Sequence, residues 1–150
     1  MNIDNLLDIK MVETFNPDLS NSPLNNKLKI KLYDKIMQMH CQKCFKVGYK
    51  VLICLCADDF LNVSLSDNVI LLTIEGYNYE EIKSRLNIED TIPIKLYRNI
   101  IINFILGNDE NNFEQVLKIY KLFENYNDII GVCINSKQNI NFRLDIIAYK

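Results

Sequence analysis

The sequence predicts an α+β fold, a helical layer combined with a C-terminal β-hairpin and one or two N-terminal strands. Three observations predict it. Residues 27–33, "KLKIKLY", alternate strictly between two kinds of side chain, the period of a half-buried strand. From Ser66 to about residue 125, apolar residues recur at helical spacing between recognisable caps. Beyond that, "DIIGVCI" and "INFRLDIIAY" flank the polar "NSKQN", the composition of a hairpin with a polar turn.

With 150 residues, 49% hydrophobic and 24% charged, the chain has material for one globular domain with a real core. "FNPDLSNSP" breaks periodic structure, so residues 1–22 read as a flexible tail and 23–150 as a single α+β domain. A formal charge of -2 excludes a polycation that holds nucleic acid by bulk charge, so any such contact must be local. Five cysteines are an odd number, and "MNIDNLLDIKMVETF" lacks the apolar run of a signal peptide; the expectation is a reducing, cytoplasmic setting. Apolar runs are broken by Lys, Asn or Asp, so no membrane span is expected. The abundance of Asn, Ile and Lys reads as AT-rich coding bias, which hints at a virus, phage, plasmid or AT-rich microbe.

In chain order, the alternation places Lys27, Lys29 and Lys31 on one side of a strand and Leu28, Ile30 and Leu32 on the other. A short helix from Asp34 to about Cys41 follows. "VGYKVLICLCA" is apolar and rich in β-formers after a glycine, which predicts a second strand from Tyr49 to Cys56, with a buried helix as the rival. Asp67 can cap a helix through Glu75, and Gly76 stops it. Asn78 and Glu81 have the spacing of a capping box for a helix from Tyr79 to Leu86, and Asn87 suits the left-handed position after it. Thr91 as cap, Pro93 in the first turn and Gly107 as terminator frame a helix over 92–106, with Lys95, Arg98, Asn99 and Asn103 along one face. A further amphipathic helix over 110–125 puts Phe113, Val116, Leu117, Tyr120 and Phe123 on its buried side.

"VILLTIEGYNYEEIKSRLNI" (69–88) resembles the helix-turn-helix in the fourth region of bacterial sigma factors, where an apolar helix ends at Glu-Gly and "YEEI" opens the next. The resemblance extends weakly to residue 98. It implies a helix-turn-helix-like unit within the helical layer, with the helix after the turn entering the major groove. Lys95, Arg98 and Asn99 would then touch base edges, Arg98 on guanine and Asn99 on adenine, with Lys83 and Arg85 near the backbone. The sequence departs from the family at Asn87, Glu89, Asp90 and Pro93, and "IIINFIL" is more apolar than a groove-facing helix. The ordinary counter-reading is a helical pair packed in a core.

Lys27, Lys29, Lys31, Lys35, Lys43, Lys46 and Lys50 stand against one acid, Asp34, an asymmetry that suits phosphates. Lysines are equally a device for protecting an edge strand. In the same region Cys41-x-x-Cys44 and Cys54-x-Cys56 could together supply four thiolates to zinc, whereas buried structural cysteines are the plainer reading.

Catalysis is not expected. His40 is the only histidine and cannot usefully face the adjacent Cys41, and the four glycines form no phosphate-binding cluster. The sequence therefore points to a transcription-associated or regulatory DNA-binding protein, with Lys27, Lys29 and Lys31 on phosphates. The alternative is a non-enzymatic protein-interaction module, of the kind viruses encode, binding itself or a host protein through the apolar helix and terminal hairpin.

Overall fold

The computed structural model describes residues 17–40, 49–88, 96–107 and 113–150. The elements among them are helix α1 (Asn26–Met39), strand β1 (Tyr49–Ile53), a single 3-10 turn (Ala57–Phe60) running into a one-turn helix α2 (Leu61–Ser64), β2 (Val69–Gly76), α3 (Tyr79–Ile88), β3 (Asn99–Leu106), α4 (Phe113–Lys121), β4 (Asn127–Asn135) and β5 (Phe142–Tyr149). The α+β class stands. The strands form one mixed five-stranded sheet in the order β1-β4-β3-β5-β2.

Three segments differ from the sequence expectation, each for a physical reason. Residues 27–33 are helical. The short alternation loses to a longer helical period, because Leu28, Leu32, Lys35, Ile36 and Met39 share one face of a fourteen-residue helix whose N-terminus is capped by the Asn25 side chain, accepting from Leu28 N–H at 2.9 Å. Residues 69–76 are a strand where a capped helix is predicted: "VILLTI" is rich in β-formers, and all eight residues pair with β5. Residues 99–106 are also a strand. "NIIINFIL" pairs parallel to β4 on one side and antiparallel to β5 on the other, and every residue after Asn99 is buried. A continuous β-branched run buried on both faces is the signature of a central strand, and the spacing of its polar residues mimicked a helix.

The predicted terminal strands exist but do not pair with each other, because β3 lies between them. Their connection steps over the end of β3. The Gln138 amide donates to the carbonyls of Ile105 (3.0 Å) and Ile140 (2.9 Å), and Gly107 N–H donates to Asn141 O at 2.8 Å. Gly107 must be a glycine here, since a Cβ would stand 2.7 Å from Ile140 O.

Helix α3 forms where expected, with Asn78 Oδ1 accepting from Glu81 N–H at 2.9 Å. The Glu81 carboxylate reaches back to Tyr77 N–H at 2.9 Å, one residue beyond the usual box partner. Strands β2, β3 and β4 run the same way, since β5 is antiparallel to both β2 and β3 while β3 and β4 are parallel. The connections β2-α3-β3 and β3-α4-β4 step in one direction across the sheet and lay both helices on one face. There Ile82, Val116, Ile119 and Phe123 bury Ile74, Ile102, Phe104, Leu144 and Ile146. On the opposite face α1 and residues 55–63 cover Ile101 and Ile147 through Leu32, Ile36, Met39, Phe60 and Val63. Each such side chain stabilises the fold by about 1.5–3 kcal/mol.

Candidate functional site

The residues expected to meet nucleic acid do not share a surface. Lys27, Lys29 and Lys31 lie on α1, over one face of the sheet, and Lys83 and Arg85 lie on α3, over the other. Lys27 and Lys31 are exposed one turn apart beside Asp34, and Lys29 is half-buried on the helix flank, so the three-lysine strand face is not formed. Lys83 Nζ sits 5.9 Å from the centroid of the Tyr79 ring. Arg98 is exposed just before β3, with its carbonyl accepting from Asn127 N–H at 2.7 Å. The Asn99 amide donates to Tyr149 O at 3.5 Å, and Asn103 is buried inside the sheet. Lys95, Cys41 and Cys44 lie outside the described residues.

Strand β1 ends at Ile53, so Cys54 and Cys56 are not strand neighbours on one face; both are exposed, and Cys56 caps the 3-10 turn while its N–H donates to Asp59 Oδ2 at 2.7 Å. Cys133 is buried in β4, in keeping with a packing role. Among the described residues no three His, Cys, Asp or Glu side chains converge to hold a metal. His40 is buried at the C-terminal end of α1. Burial holds its imidazole below the usual histidine range, against an opposing pull from Asp59.

Local sequence reasoning missed a polar row that crosses the sheet beneath α1. Register places Thr73, Asp145, Asn103 and Gly131 side by side on β2, β5, β3 and β4. Lys35 descends from α1, its Nζ 3.0 Å from Asp145 Oδ1, and it also donates to Thr73 Oγ1. Thr73 Oγ1 donates to the same carboxylate oxygen at 3.0 Å, and Arg143 Nη2 approaches it at 3.4 Å. Asp145 is fully buried, and Gly131 keeps the row tight, since a Cβ there would lie 2.6 Å from Leu55 Cγ and 2.7 Å from Asn103 Oδ1. Three donors aimed at one carboxylate oxygen make a charge-neutralising tether between helix and sheet.

An exposed apolar feature lies on the other face, at the β1 side. Two large side chains predicted to be buried, Phe113 and Leu117, are 53% and 54% exposed, one turn apart on α4. The opposite flank of α4 meets α3, where Gln115 Oε1 accepts from Tyr79 N–H at 3.0 Å. Their flank therefore looks outward over β4 and β1. There Ile130 and Ile134 of β4 are only partly buried, and Ile53 of β1, paired with Val132, is 51% exposed. Glu114, Lys118 and Lys121 border this apolar strip on α4. Among the described residues no helix is long and apolar enough to cross a membrane. No protein-family model matches the chain, and no curated protein matches it in sequence.

Proposed function

We propose that the protein is a non-enzymatic protein-interaction module whose contact surface is the outer flank of α4 together with the neighbouring strands β4 and β1. The observation that supports this reading is the half-exposed pair Phe113 and Leu117, one turn apart on the flank of α4 that points away from α3, with half-exposed Ile53 on the edge strand β1 at that side of the sheet. Scattered exposed apolar residues are ordinary on a soluble surface, whereas a contiguous set marks a contact site. The surface differs from the one expected from the sequence, because the apolar "IIINFIL" segment is a buried central strand that separates the two terminal strands. A groove-reading helix over residues 99–106 loses its basis for the same reason: 99–106 is a buried strand, and Asn103 faces the polar row.

Affinity capture with the full chain tests the proposal in cells that express it. Leu117→Glu and Ile53→Glu should each remove the same bound proteins, while Ile30→Glu, an exposed residue on the opposite helical face, should leave them. An identical set of bound proteins in all three variants would overturn the assignment.

A further inference from the structure

We draw no further inference here: the strongest candidate, the outer edge of strand β2 at the end of the sheet, pairs all eight of its residues with β5 on its inner side, and among the described residues nothing shows what covers the other side.

Discussion

Replacing Lys35 with methionine measures what the buried tether contributes. The lysine side chain is 10% exposed and its partner Asp145 0%, so the change leaves a carboxylate in the interior without its main counter-charge. Removing one member of a buried ion pair typically costs about 3–5 kcal/mol. Arg143 Nη2 at 3.4 Å and the Thr73 hydroxyl at 3.0 Å stay beside the carboxylate, which places the loss at the lower end, about 3 kcal/mol. For a chain of this length that corresponds to a fall of about 6–12 °C in melting temperature. Urea unfolding of Lys35→Met, Asp145→Asn and the double variant reports the coupling directly. The double change should cost less than the sum of the single ones by more than about 1 kcal/mol, because neither half is then left uncompensated. A single Lys35→Met loss below about 1 kcal/mol would refute the tether.

Gly131→Ala should destabilise by about 1–3 kcal/mol in the same assay, because its Cβ would strike Leu55 and the Asn103 amide oxygen in a packed row. Phe104→Ala should cost about 3–5 kcal/mol, which an exposed groove-reading helix would not. The depressed His40 titration gives stability that is complete above the unfolded-state value and lost as pH falls from about 6.5 toward the folded-state value, with a slope of at most about 1.4 kcal/mol per pH unit for the one proton. Comparing urea midpoints of the wild type and His40→Gln at neutral and mildly acid pH should show a shallower decline in the variant. In a low-salt gel shift with duplex DNA, Arg98→Ala should change nothing, since Arg98 immediately precedes a buried strand and does not lie on a groove-facing helix; a marked weakening would revive the DNA reading.

Elements signalled by local chemistry were legible in the sequence. Asn78 three residues before Glu81 marks the start of α3, and "KVLI" and "DIIGVCI" fall in strands because their apolar residues are β-branched or neighbour such residues. The errors arose where two periods competed. In "KLKIKLY" the alternation spans seven residues, too few to outweigh a helix that continues to Met39. In "YRNIIINFIL" the spacing of Arg98, Asn99 and Asn103 suggests a helix, although the β-branched run between them belongs in a sheet. The polar row had no local signal, because Lys35 and Asp145 are 110 residues apart and meet only through the sheet order. Phe113 and Leu117 stay half-exposed where the periodicity predicts burial, because they extend the apolar stripe of α4 beyond what one sheet can cover.

The exposure of that flank follows from the topology. Packed helices lie about 8–10 Å apart, close to two strand spacings of about 4.8 Å. Two helices on one face therefore roof about four strands. The sheet has five, and because the crossovers run from β2 through β3 to β4, the strand left outside the helical layer is β1. The outer side of α4 consequently faces no further helix among the described residues, and Phe113, Leu117 and Ile53 each remain half-exposed. A chain stabilised only by its own core would gain by carrying polar residues on that flank, since exposed apolar side chains add aggregation risk without burial. Leu117→Lys is accordingly expected to leave the melting temperature within about 1 kcal/mol equivalent of the wild type while it removes the proteins captured by the wild-type chain. A large loss of stability in the purified chain would instead mean that Leu117 serves the chain's own core.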